Sequence, residues 1–263
     1  MDKAGLSADE SCQDGRTAKT GAPVGWEPMG TALVTYSKGD FDATLSVIRE
    51  DGDVARFAAK FFFRDYWALD EIERSALDMC SGRVLELGAG VGGSALYLQR
   101  KGLEVVALDC SPDCVALMKK RGVIRAVVGD AFRYEERGFD TVLSLMNGAG
   151  LFGTMAAFED YLSRLDALLN PGGKFIFDSY DLRKVADPRE RAYQAYLTGQ
   201  GRYFGEYLTR LEFSGRCGEP YRTLHLDPDT LLAAVAGHGL VCRCYPRDYC
   251  GRYLAVVSRK ETP

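Results

Sequence analysis

Nothing among the 263 residues reads as a membrane span, since no apolar run approaches the roughly 20 residues that cross a bilayer. The first ten residues, Met1 to Glu10, lack the basic-then-apolar pattern of a secretory signal, so the cytoplasm is the expected compartment. A basic excess is missing too. Lys and Arg number 33 against 37 Asp and Glu, a net charge of −4, which makes nucleic acid an unexpected partner. Only two histidines occur, and neither sits beside a cysteine pair. The eight cysteines, at 12, 80, 110, 114, 217, 242, 244 and 250, include no CxxC, so no metal centre is expected and the thiols read as small reduced hydrophobes. Cys242, Cys244 and Cys250 could form a thiol site, but the first two alternate as same-face residues of a strand do. What is present, 46% hydrophobic and 27% charged residues, suits one α/β domain with an appendage. No feature specifies an oligomeric state.

Residues 1–25 are small and polar and cannot bury enough surface to offset chain entropy, so a disordered tail is expected. From 26 to 80 the pattern reads as a helical cap, with Ala43–Ile48 at helical spacing and Asp65–Met79 as one amphipathic helix. The remainder, 81–263, reads as the main domain. It alternates strands at 83–87, 104–109, 123–128, 139–145 and 174–178 with helices between them. Short connections between alternating elements imply a doubly wound α/β fold around a mostly parallel sheet. The alternation breaks over 182–226, an insertion that includes a hairpin-like pair around Ser214–Gly218 and several tyrosines. It is a candidate substrate lid, or equally a surface hairpin or dimer contact.

The turn Gly88-Ala-Gly-Val-Gly-Gly93 fits two ligands, because both methyl-donor and dinucleotide sites use a glycine turn between strand and helix. Its neighbours separate them. Glu86 lies on the strand two residues before the first glycine, where a buried acid is costly unless paired and where a pyrophosphate would not welcome it. Asp109 ends the second strand, placed for ribose hydroxyls in either class. Gly129-Asp130-Ala131-Phe132 follows the third strand, where a carboxylate can take an adenine amino group. A nicotinamide-dependent oxidoreductase, the alternative chemistry, should carry a Tyr-x-x-x-Lys after the fourth strand, and none is found there. A non-catalytic binding protein is the third reading.

Val84–Gly92, Val105–Pro112, Gly129–Ala131, Phe139–Leu145 and Leu169–Gly173 together resemble the ordered motif set of class I S-adenosylmethionine-dependent methyltransferases. The resemblance covers about 83–181 and the closing strands. It implies a seven-stranded sheet with its last strand antiparallel, and S-adenosyl-L-methionine at the carboxyl ends of the strands. The residues it points to for that cofactor are Glu86, Gly88, Ala89, Gly90, Gly92, Asp109, Cys110, Asp130, Ala131 and Met146. Asn147 stands where enzymes that methylate nucleic-acid amines carry an Asn/Asp-Pro-Pro-aromatic loop, but Gly148-Ala149 follow it here, which disfavours exocyclic base methylation.

The acceptor is expected to be a small metabolite or flexible peptide, methylated on oxygen or nitrogen, because no separate recognition domain is evident. An arginine amid aromatics wants an anionic partner, so Arg64, with Tyr66, is a candidate for the cofactor carboxylate or an acidic acceptor. Asn147, Tyr180 and His225 are the candidate catalytic residues at the rim, Tyr180 as hydroxyl donor or base.

Overall fold

A computed structural model describes residues 24–246 and 251–260. The expected tail lies almost wholly outside the described residues, as does Cys250. The chain opens with helix α1 (Glu27–Ser37) and then departs from the helical expectation. Ala43–Ile48 falls in strand β1 (Thr44–Arg49), which turns back into β2 (Val54–Ala58). Six residues with apolar groups at 43, 45, 47 and 48 fit either period, and pairing with β2 and with a distant strand decides the matter. The expected long helix over Asp65–Met79 is also divided. Asp65 accepts the amides of Trp67 and Ala68 and closes a short 3-10 turn at Tyr66–Ala68. Asp70 then starts α2 (Glu71–Met79) with a capping box shared with Glu73. Two acidic caps five positions apart split one amphipathic pattern into two turns.

The alternating region follows as β3 (Arg83–Leu87), α3 (Gly93–Arg100), β4 (Glu104–Asp109), α4 (Pro112–Arg121), β5 (Ala126–Val128), β6 (Phe139–Ser144), α5 (Met155–Leu168) and β7 (Leu169–Tyr180). Local signals set these limits. Ser111 caps α4 by accepting the Cys114 amide, Pro112 fills its first turn, and Gly122 ends it in the left-handed region. The insertion adds a helix that its sequence had not suggested, α6 (Pro188–Gly199). It continues as β8 (Glu206–Phe213), β9 (Arg216–Cys217) and β10 (Tyr221–Leu224). The chain closes with α7 (Pro228–Gly237), β11 (Leu240–Pro246) and β12 (Arg252–Arg259).

The main sheet runs β11-β12-β7-β6-β3-β4-β5. Six strands run in one direction, and β12 alone is antiparallel, to both its neighbours, as the resemblance implied. Alternate residues of its strands serve opposite faces. Leu85, Leu87, Val106 and Leu108 pack under α5 and α7, whereas Val84, Val105 and Ala107 pack under α2, α3 and α4. A second, antiparallel sheet has the order β10-β8-β1-β2, with β9 paired to β8. The N-terminal hairpin and the insertion thus complete one another. One face of this sheet carries Leu45, Leu211 and Phe213 against Ala32 and Leu33 of α1, Leu117 of α4 and Val91 of the glycine turn. It therefore roofs the carboxyl ends of the parallel strands.

Candidate active site

Every parallel strand delivers a loop to the same end of the sheet, and the glycine turn sits at its centre. Gly88, Gly90 and Gly92 have φ of +65°, +56° and +78°. A Cβ on Gly90 would meet nothing within 4 Å, so one side of the turn is open to a ligand. The turn is pinned from β4: the Ala89 amide donates to Leu108 O at 3.0 Å, and the Gly90 amide to Asp109 Oδ2 at 2.8 Å. Asp109 Oδ1 accepts the Ser111 amide at 2.8 Å, so this buried carboxylate holds two loops together while each oxygen keeps a further lone pair. Cys110 follows it, its thiol pushed up to about 12 chiefly by burial, with Asp109 adding to the effect. Asp130, after β5, accepts the Phe132 amide at 2.8 Å, and Ala131 beside it packs on the core.

Glu86 is buried, and its Oε2 has no hydrogen-bond partner. Burial pushes its carboxyl up to about 8. Asp109 raises it further, and hydrogen bonds from Ser94 and the Ala95 amide oppose the rise. A carboxyl whose folded value lies above its unfolded one is stabilised by its proton. Stability from this group is complete below the unfolded value near 4.5 and is lost as pH rises toward about 8. We expect the ligand-free protein to lose up to about 1.4 kcal/mol per pH unit through that window. Urea titrations of Glu86→Gln should show a flatter profile, and equal slopes in the two proteins would contradict this account.

Met146 and Asn147, just beyond β6, have φ of +65° and +61°. Two successive left-handed residues other than glycine are costly and persist only where the surroundings impose them. Asp178 on β7 imposes them here. Fully buried, it accepts the Asn147 amide at 3.0 Å and the Gly148 amide at 2.9 Å. Arg252 on β12 balances its charge through Nε at 2.8 Å and also pairs with Asp70 at the start of α2. The sequence singled out neither Asp178 nor Arg252. Met146 is left exposed at the strand end.

The second sheet covers this turn. Opposed pairs put Arg49, Tyr207, Thr209 and Thr223 on one face, with His225 just beyond. Asn147 Nδ2 donates to Leu224 O at 3.4 Å. The His225 ring lies 5.0 Å from that of Tyr207 and 6.1 Å from that of Tyr180, centre to centre. Burial, with help from the Arg49 charge, pushes His225 down to about 4 and leaves it neutral at pH 7.

Arg64 and Tyr66 are placed differently from the other candidates. Arg64 donates to both carboxylate oxygens of Glu73, at 2.8 and 2.7 Å, and to Phe61 O at 2.8 Å. Its carbonyl oxygen would lie 3.1 Å from a Cβ placed on Gly93. Tyr66 stacks on Tyr97 at 4.0 Å and donates to Asp78. Both thus have partners within the chain. The capping pattern Asp70-x-x-Glu73 was the signal that an acid would stand beside Arg64. Among the described residues no cluster of three or more His, Cys, Asp or Glu side chains is placed to hold a metal, and no helix is long and apolar enough to cross a membrane.

Comparison with known proteins bears directly on this site. Residues 84–173, from β3 through the turn into the body of β7, match a methyltransferase domain family. Over 122 residues the chain is 31% identical to a fatty-acid O-methyltransferase of Mycolicibacterium smegmatis, taking in 44% of this chain and 43% of that protein. Over 116 residues it is 28% identical to a probable ribosomal RNA small subunit methyltransferase A of Methanosarcina barkeri, taking in 43% of this chain and 40% of that one. The matches thus span less than half the length of these curated relatives. Among solved structures, a methyltransferase from Bacteroides fragilis in complex with S-adenosyl-L-homocysteine is 31% identical, with a TM-score of 0.79. That match covers 91% of this chain and 98% of the other.

Proposed function

We propose that this chain, which belongs to the S-adenosylmethionine-dependent methyltransferases, moves a methyl group to an oxygen or nitrogen of a small metabolite or flexible peptide seated under the second sheet. The observation that carries the reading is Glu86, a buried carboxyl with an unpartnered oxygen beside an open glycine turn. A cationic amino group supplies what that oxygen lacks, and the amino-acid end of the cofactor has one. Asp109, with a free lone pair on each oxygen, suits ribose hydroxyls, and Asp130 suits the adenine amino group. When bound, the cofactor supplies an electrophilic methyl on a sulfonium sulfur.

The remaining work falls to the chain's own residues. The Met146–Asn147 turn sets the wall where the acceptor meets the strand ends. The second sheet keeps water out of that space. His225, neutral at pH 7, can take a proton from a neutral acceptor. Tyr180, whose ring lies 5.8 Å from the Arg252 guanidinium, lines the same rim. The cytoplasm is the compartment that fits this reading, and nucleic acid fits it poorly.

Calorimetry tests it. S-adenosylhomocysteine is expected to bind in the micromolar range, where a Kd of 1 μM corresponds to about −8 kcal/mol, and NADH not at all. Binding at pH 7 should also release protons, because the ligand's ammonium favours the ionised form of Glu86. That release shows as a dependence of the heat on buffer ionisation. Binding of NADH in place of the homocysteine would overturn the reading.

A further inference from the structure

We propose that the methyl acceptor is a neutral, proton-bearing hydroxyl or amine rather than a carboxylate, held by Asn147, Tyr207 and His225 beneath the second sheet. This names the substrate class of the site described above and rests on that reading.

Three side-chain atoms at this place are closed to solvent and lack a hydrogen-bond partner: Asn147 Oδ1, the Tyr207 hydroxyl and His225 Nδ1. A buried polar atom left without a partner is costly in a folded protein, so a group of them calls for a ligand. They are close neighbours. The Tyr207 and His225 rings are 5.0 Å apart, and Asn147 bonds to the carbonyl of Leu224, the residue before His225. A Cβ on Gly150 would lie 2.6 Å from both Asn147 Nδ2 and Thr223 Oγ1, which places the Asn147 amide against the same face of the sheet as Tyr207.

The chemistry of these atoms selects the ligand. Because Asn147 Nδ2 is turned to a carbonyl, the orphaned atom is the oxygen, which can only accept a hydrogen. Neutral His225 accepts at Nδ1 in the tautomer that carries its proton on Nε2, and the Tyr207 hydroxyl can give or accept. An acceptor that fits must therefore bring a hydrogen of its own. A carboxylate brings none and would set its charge against Asn147 Oδ1 in a site that excludes water.

A carboxylate also needs a cation, and the nearby arginines are committed. Arg49 is bound to Asp51 at 2.8 Å and to Glu190 at 2.6 Å. Arg64 is bound to Glu73, and Arg252 to Asp178 and Asp70. An alcohol, phenol or amine meets both conditions. Its oxygen or nitrogen forms the bond to the methyl carbon as the carbon–sulfur bond breaks, the electron pair staying on sulfur. Its proton passes to His225 and from there to solvent.

The test is to incubate the full chain with S-adenosylmethionine tritiated in the methyl group and a small-metabolite extract. The labelled products are then treated with base, which releases methyl esters as volatile methanol and leaves ethers and N-methyl amines intact. Label that survives base is the expected result, and label that distils as methanol overturns the proposal. If the parent protein incorporates no label at all, it is the methyl-transfer reading that fails.

Tyr207→Phe supplies the second arm. Removing an unpartnered buried hydroxyl should leave thermal stability equal to or above that of the parent, while label transfer falls about tenfold. A purely structural tyrosine would not separate the two readouts in this way, and parent-like transfer by this variant would overturn its place in the site.

Discussion

Replacing Asp178 by alanine is expected to remove about 3–5 kcal/mol of folding stability, the usual cost of stranding one member of a buried ion pair. The carboxylate is fully buried and receives two amides and the Arg252 guanidinium. Its loss leaves Arg252 with Asp70, which is far more exposed and is a poorer counter-charge. It also leaves the Asn147 and Gly148 amides without acceptors while Met146 and Asn147 still carry positive φ. The turn should then relax, so amide exchange over 145–150 should rise well before global unfolding. Urea midpoints at constant m-value measure the stability loss, and hydrogen exchange reads the turn. A double variant with Arg252→Met should regain part of the loss, since an apolar pair removes the stranded charge. A loss below about 1 kcal/mol in Asp178→Ala would show that Arg252 is not stranded by the change and would overturn this account.

The second large effect falls on binding rather than folding. Gly90→Val should weaken S-adenosylhomocysteine binding by at least about 100-fold, near 3 kcal/mol, while the fold survives. At Gly90 a side chain meets no neighbour, so the penalty to folding is limited to left-handed strain of about 1–2 kcal/mol. The branched side chain would instead fill the open side of the turn, the side proposed above for the cofactor. Gly92→Val is the contrast. Its Cβ would lie 2.6 Å from Val123 Cγ2 and 2.9 Å from Met118 Cγ, so it should unfold the protein rather than merely block the site. Calorimetry together with thermal melts separates the two, and full ligand affinity in Gly90→Val would remove the turn from the cofactor site.

These contrasts show what the sequence made legible. The strand and helix limits around Glu86, Asp109 and Ser111 could be read because caps, glycines and short apolar strands are local signals. β1 could not, because Ala43–Ile48 fits either period and is held as a strand by pairing with β2 on one side and with β8, more than 150 residues later, on the other. Asp178 was hidden for a similar reason: its meaning depends on Asn147 and Arg252, brought to it by the order of the sheet. Arg64 and Tyr66 were singled out by composition, and their intrachain partners Glu73, Tyr97 and Asp78 are ones that a helical wheel drawn over Asp65–Met79 does not reveal. His225 and Asn147 stood out in the sequence as rim candidates, whereas Tyr207 was one tyrosine among several until the register of β8 and β10 set it beside His225.

The roof over the strand ends is stitched from two distant stretches of chain, with Ser46–Arg49 registered against Thr209–Glu212. It therefore cannot be exchanged as a cassette. A chimaera that imports only 182–226 from a relative would hand β1 a foreign neighbour, and one that imports only the first 60 residues would do the same to β8. Reprogramming the acceptor by recombination requires both stretches from one parent.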